Sequence, residues 1–321
     1  HSGIAKRAKE AIRAEPGHIF AKVDMRGFHS RAVGWLARDP LYYQLADEDV
    51  HSFVAAHYLH LPDAPYLMDM DEDERRSALA LVKAEHGHTR NYKVKRVVHG
   101  RQFNMGVKKL YQLHGADSDP TPEAVMAQLG EAAWYDLDPK EQLDEINRRG
   151  RLEARKLYAL FHRLFPGTFV LYIENVRDAI YHETPNRLTT PFGHHRWFWN
   201  YDMEQAAAFG PSHCAHCHIQ SALIRLRRGG HLRRFGCSNF THDAGWFHPR
   251  IEDAENCVTT VQTEFELPST VLTNNPLGSF QCNSDAEVGY DMANMVGYDK
   301  WVAAGRPSAE QWTTAFPPKK G

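Results

Sequence analysis

The chain of 321 residues is 42% hydrophobic, 24% charged and 11% aromatic, which excludes a disordered protein and allows one large domain or two modest ones. Its 38 basic and 40 acidic residues leave a net charge of −2. That excludes a small cationic protein that coats nucleic acid, but not an enzyme with a local basic cleft. Five cysteines (Cys214, Cys217, Cys237, Cys257 and Cys282) are too few and too clustered for a disulfide framework, and an odd number suits a reducing compartment. No apolar run approaches the roughly 20 residues that span a bilayer. The N-terminal stretch Ala5-Lys6-Arg7-Ala8-Lys9-Glu10 reads as an exposed helix rather than a signal peptide. The expectation is a soluble, intracellular protein without a membrane partner.

In chain order, residues 4–14 are expected to be helical, with Pro16-Gly17 as the stop. Residues 18–23 have strand character and deliver Asp24 at their end. A helix is expected over 28–38, and another after Asp49 as N-cap. Residues 62–73, rich in Pro and Asp, read as a loop. From Glu74 to about Leu113 the pattern is helical and basic, with Arg90, Lys93, Lys95, Arg96, Arg101, Lys108 and Lys109. Residues 114–122 form a connector, and a long helix runs from about Lys140 to Phe165, ended by Pro166-Gly167. The segment Leu188–Trp199 is short and aromatic. A further helix over 204–228 closes at Gly229-Gly230, a β-hairpin is expected over 235–247 with His242-Asp243 near its turn, and 251–265 is an amphipathic helix. Helices interrupted by few short strands predict an α+β fold, mostly helical, with a small antiparallel sheet.

Two aspartates stand out by position: Asp24 at a strand end and Asp243 at a hairpin turn. Most aspartates at such places cap or turn the chain. A pair held by rigid strands is also what two-metal phosphoryl transfer requires, because hard carboxylate oxygens bridge Mg²⁺. Arg101 and Met105 lie four apart on one helical face, so a triphosphate can meet a guanidinium while a base meets an apolar side chain. Arg96 and Lys108 add charge on neighbouring faces; the plainer reading is a solvated cationic helix. A second basic cluster, Arg225, Arg227, Arg228, Arg233 and Arg234, brackets Gly229-Gly230 and could hold a nucleic-acid backbone. Cys214 and Cys217 have the spacing of a zinc knuckle, with His213, His216 and His218 beside them. No second ligand pair follows by spacing, so burial in the core is the favoured reading.

Read in series, these words resemble family A (Pol I-like) DNA polymerases. Asp24-Met25-Arg26-Gly27-Phe28-His29-Ser30-Arg31, with Asp49-Val50-His51-Ser52-Phe53 downstream, is similar to the family's first palm motif. Thr241-His242-Asp243-Ala244 resembles its His-Asp-Glu hairpin. Arg101-Gln102-Phe103-Asn104-Met105-Gly106 looks like the finger-helix motif. Leu188-Thr189-Thr190-Pro191-Phe192-Gly193-His194-His195-Arg196 is similar to the Thr-x-x-Gly-Arg segment. Phe209-Gly210-Pro211-Ser212-His213 takes the place of Asn-x-Pro-x-Gln, which opens a template-contacting helix. The order of these motifs agrees over roughly residues 4–300.

The resemblance implies a DNA-directed DNA polymerase core, a divergent phage-type member among the options, in a bacterial cytoplasm or an infected host cell. Its alternatives are a single-subunit RNA polymerase-like enzyme and a non-catalytic nucleic-acid or zinc-binding module. It implies a palm in two parts, 1–60 and 201–321, around fingers at 61–200, with thumb and exonuclease absent or the thumb supplied by another chain. It implies two Mg²⁺ ions held by Asp24, Asp243 and the backbone carbonyl of Met25, with primer–template DNA and deoxynucleoside triphosphates as partners. Arg96, Arg101, Met105 and His29 would contact the nucleotide, with His29 near the sugar. Arg196, His213, Arg227, Arg228 and His242 would contact DNA. Four departures stand out: Ala244 replaces the Glu of the hairpin, Met105 the finger aromatic, His29 a Glu, and His213 a Gln. Arg96, Lys95 and His99 all remain candidates for the second phosphate-binding residue.

Overall fold

The computed structural model describes residues 8–107, 109, 121–183, 186–241 and 243–317. In chain order they form β1 (Phe20–Met25), α1 (Phe28–Leu36), α2 (Pro40–Glu48), α3 (Val50–Tyr58), α4 (Glu72–Glu85), α5 (Lys95–Gln102), α6 (Pro122–Leu129) and α7 (Pro139–Leu164). There follow β2 (Arg187–Thr189), β3 (His195–Trp197), α8 (Met203–Arg228), β4 (Cys237–Thr241), β5 (Ala244–Phe247), α9 (Ala254–Glu266), β6 (Ser284–Gly289) and β7 (Val296–Gly297). The fold is α+β, with one five-stranded antiparallel sheet in the order β4-β5-β1-β6-β7 and a two-stranded β2–β3 hairpin. Two units are distinguished: His1–Phe28, Ser212–Asn274 and Gly278–Gly321 form one, and His29–Pro211 with Asn275–Leu277 the other. Residues 29–60 thus cluster with 61–211.

In the first unit β1 is the middle strand, and its period-two pattern decides what faces where. Ala21, Val23 and Met25 are buried, whereas Lys22 and Asp24 are half-buried on the opposite face. The strand pairs with β5 (Val23 opposite Gly245, Asp24 opposite Ala244) and with β6 (Asp24 opposite Asp285, Lys22 opposite Glu287). Gly245 has to be glycine. An added Cβ would lie 2.9 to 3.1 Å from ring carbons of Phe247, Phe240 and Phe265, all tied into the same core.

In the second unit α1, α2, α3, α5 and α7 bury Val33, Leu45, Phe53, Val98, Leu157 and Phe161 together. Asp39 and Asp49 cap α2 and α3, accepting from the backbone N–H of Tyr42 and Ser52. The Arg90 guanidinium then clamps Asp49, with Nη2 2.7 Å from Oδ2. His51 lies in the same cluster, its ring 5.1 Å from that of His99, and its Nε2 is buried without a hydrogen-bond partner. Burial first, then the charges of His99, Arg90 and Lys95, pull His51 down to about 3 against the opposing pull of Asp49. An unfolded histidine takes up its proton near pH 6.5, so this one contributes stability fully above that pH and loses it as the pH falls toward its folded value. The expected result is a Tm that drops between pH 7 and pH 4, as the unfolded chain takes up a proton that the folded one does not. His51→Gln should flatten that drop in calorimetry; an unchanged drop would place the acid sensitivity elsewhere.

One expectation needs correction. Only residues 8–11 of the expected first helix are helical among those described, and Arg13 is instead held in a bridge to Asp291. The long helix ends as expected, at Leu164 with Phe165 as C-cap, and a separate π-helical stretch, Thr168–Glu174, follows Pro166-Gly167. A proline has no N–H to lose in the first turn of a helix, so Pro166 opens one here. The connector over 114–122 lies outside the described residues up to 120, and helices at Pro122–Leu129 and Glu131–Tyr135 follow it.

Candidate active site

Asp24 and Asp243 are brought together in the first unit. The backbone N–H of Met25 donates to the Asp243 carbonyl at 2.9 Å, which pins the β4–β5 turn to the end of β1. Both aspartates line a cavity of about 310 Å³ with Lys22, Met25, Arg26, Gly27, Asp285 and Glu287. Lys22 Nζ lies 2.6 Å from Asp24 Oδ2 and 3.5 Å from Glu287 Oε2. Arg26 donates to both oxygens of Asp285, at 2.6 and 3.3 Å. Burial works against the Lys22 ammonium, but Asp24 and Glu287 outweigh it and hold its pKa above the ordinary lysine value.

Asp285 and Glu287 are the residues that reading the sequence missed. The Glu usual after the hairpin aspartate is Ala244, which sits beside Asp24 on β5. On the other flank of Asp24, β6 places Asp285 directly opposite it. Two carboxylates opposed across strands repel, and Arg26 and Lys22 relieve that repulsion. The available signal was the alternation in Ser284-Asp285-Ala286-Glu287-Val288, a six-residue strand whose partner lies at the other end of the chain.

The donor set suits a hard divalent cation, since every candidate ligand is an oxygen. The cavity carries four carboxylates against two cationic side chains, an excess of negative charge. Among the described residues no three His, Cys, Asp or Glu side chains converge on one point. Of the cysteines, Cys282 reaches this region, its Sγ 3.3 Å from the Arg26 carbonyl. Cys214 is buried in α8, where burial and Cys217 push its thiol up to about 12, while Cys217 Sγ lies 3.5 Å from His213 Nδ1.

The other sequence-predicted residues divide by unit. Arg227 and Arg228 are exposed at the end of α8, whereas Arg225 is paired with Glu264 at 2.7 Å. His213 is half-buried, and His242 and Lys108 lie outside the described residues. In the second unit Arg196 is exposed, and its Nη2 donates to Gln205 at 2.8 Å. His29 meets Phe103 edge-on, with ring centroids 6.4 Å apart. Met105 packs against the core, and the Arg96 guanidinium lies 5.6 Å from the Tyr92 ring. Arg101 is only 2% exposed. It stacks 3.8 Å from the Tyr158 ring centroid and donates from Nε to His162 at 3.1 Å; burial lowers its pKa to about 10. It continues the stripe Val94, Val97, Val98, so helical spacing aims it into the protein, while Lys95 is exposed.

The α+β fold is similar to that of a Pol I-type polymerase domain. No family model matches the chain, and no curated protein does. Among solved structures it is similar to the POL domain of Pol1 from M. smegmatis in complex with DNA primer-template and dNTP, with a TM-score of 0.52 and 16% identity over 91% of this chain. The match spans 43% of that protein's chain. No described helix is long and apolar enough to cross a membrane.

Proposed function

We propose that the chain is a template-directed nucleotidyltransferase, a DNA-directed DNA polymerase core whose metal site is the Asp24–Asp243 cavity. The observation that carries this reading is the meeting of the two aspartates at one cavity on the middle strand, within a fold similar to a polymerase domain. Asp24, Asp243 and the Met25 carbonyl would hold two Mg²⁺ ions, which when bound activate a primer 3′-hydroxyl and stabilise the pyrophosphate leaving group. In this reading the sheet and the β4–β5 hairpin are the palm, and the helical unit holds the fingers. Lys22 and Arg26 pair with Asp24, Glu287 and Asp285 and offset part of the negative charge until the cation arrives. Arg101, being buried, positions α5 through Tyr158 and His162, and the accessible Lys95 and Arg96 are the better partners for a triphosphate. His29 beside Phe103 keeps its assignment near the sugar. Arg196, His213, Arg227, Arg228 and His242 are proposed to contact primer–template DNA.

The test is primer extension on a DNA template with Mg²⁺ and deoxynucleoside triphosphates. Template-dependent product that disappears with a chelator supports the assignment. Product formed only from ribonucleotides would move it to the RNA polymerase-like alternative. The loss of Glu at position 244 favours a second reading, a palm that binds nucleic acid without catalysis. DNA binding with no extension under any nucleotide or divalent cation would select it.

A further inference from the structure

The β2–β3 hairpin carries a surface that the aspartate site does not use. Trp197 and Trp199 are 47% and 69% exposed, yet they stack on each other with ring centroids 5.3 Å apart and planes within 6°. Tyr181 and Tyr201, 42% and 46% exposed, form a second parallel pair at 5.1 Å and 8°. Leaving four large aromatic rings in water is unfavourable, and such patches mark binding surfaces. The rings are held in place. Phe198 between the two tryptophans is buried against Phe209 at 5.9 Å, and its N–H donates to the Asn186 carbonyl at 2.5 Å. Trp197 lies opposite Arg187 in the ladder, with the guanidinium 5.6 Å from the indole centroid.

Along the hairpin itself the charge has one sign, and Asp202 and Glu204 follow it. From Arg187 to Tyr201 the chain contains Arg187, His194, His195 and Arg196 and no Asp or Glu. Rigid, parallel, exposed ring faces beside guanidinium groups match unpaired nucleotides, whose bases offer π-faces and whose backbone offers phosphates. A duplex hides those faces in its own stack. An apolar peptide or a lipid surface would call for aliphatic side chains, and the exposed large residues of the hairpin are tryptophans.

From this we infer that the β2–β3 hairpin is a stacking platform for single-stranded DNA, with Trp197 and Trp199 receiving bases and Arg187 and Arg196 the adjoining phosphates. This rests on the proposed polymerase function for the choice of DNA, and its natural occupant there is an unpaired stretch of template. The test titrates the full chain with oligo(dT) of about 12 nucleotides, within the range that one single-strand site covers. Tryptophan fluorescence should be quenched, and affinity should fall steeply with salt. Trp199→Ala and Trp197→Ala should each weaken oligo(dT) binding roughly tenfold, while Trp199→Phe, which keeps a ring face, should retain most of it. Blunt duplex of equal length should bind the wild type and both alanine variants alike. Equal oligo(dT) affinity in wild type and alanine variants would overturn the proposal. So would equal loss of duplex binding, or loss only of self-association or vesicle binding. The two readings fail separately: oligo(dT) binding that depends on the tryptophans, without primer extension, retains the platform and removes the polymerase, and the converse retains the polymerase alone.

Discussion

Asp24→Ala and Asp243→Ala should each lower primer-extension rates by at least about 10³-fold, which corresponds to roughly 4 kcal/mol of transition-state stabilisation. The loss follows from the reading of both carboxylates as ligands to the cations that carry the developing charge, so neither can stand in for the other. Stability should change little. The Lys22–Asp24 ion pair is partly exposed, with side chains 20% and 37% accessible, and such pairs contribute under about 1 kcal/mol. Circular dichroism and Tm close to wild type, with extension lost, is therefore the expected pattern. Asp285→Asn should fall in between, about ten- to a hundredfold down, because its carboxylate flanks Asp24 from the side where Ala244 supplies none. Extension by Asp24→Ala at wild-type rate would end the polymerase assignment, and unaltered rates in Asp285→Asn would confine the site to two carboxylates.

The largest effect on stability should come from the Arg75–Glu48 pair in the helical unit. The two side chains are 4% and 1% accessible, and Arg75 Nε lies 2.6 Å from Glu48 Oε2. A second bond runs from Nη2 to Oε1 at 2.7 Å, and a third from Nη1 to the Met70 carbonyl at 2.8 Å. Removing one partner leaves a charge out of water with no compensation, which costs about 3 kcal/mol or more. Glu48→Gln should therefore lower the denaturation midpoint strongly, whereas the double change Glu48→Gln with Arg75→Met should recover much of the loss. A Glu48→Gln protein as stable as wild type would show that water reaches the pair.

Much of the aspartate site was legible because its signals are local. The run around Val23 and the turn at His242-Asp243 read as a strand and a hairpin from a few residues each, and both were found as expected at β1 and at β4 and β5. Asp285 was not legible, since Ser284–Gly289 is a strand only by pairing with residues at the other end of the chain. Arg101 misled for the opposite reason. Its charge suggested an exposed ligand contact, while the valine stripe of α5 had already assigned that face to the core. The aromatic segment at 188–199 was noticed, but it holds only the Trp197–Trp199 pair; the second pair is made by Tyr181 and Tyr201, which both lie outside that segment.

Lys22 and Arg26 separate two events that often coincide in acidic sites. Because each lies against a carboxylate of its own strand or of the neighbouring one, the sheet carries its own counter-ions through folding. The strands can pair, and the cavity can take its final outline, at ionic conditions that say nothing about divalent cations. In the proposed reading, loading would then be a substitution among partners of like charge on a finished surface, driven by exchange rather than by the assembly of the protein.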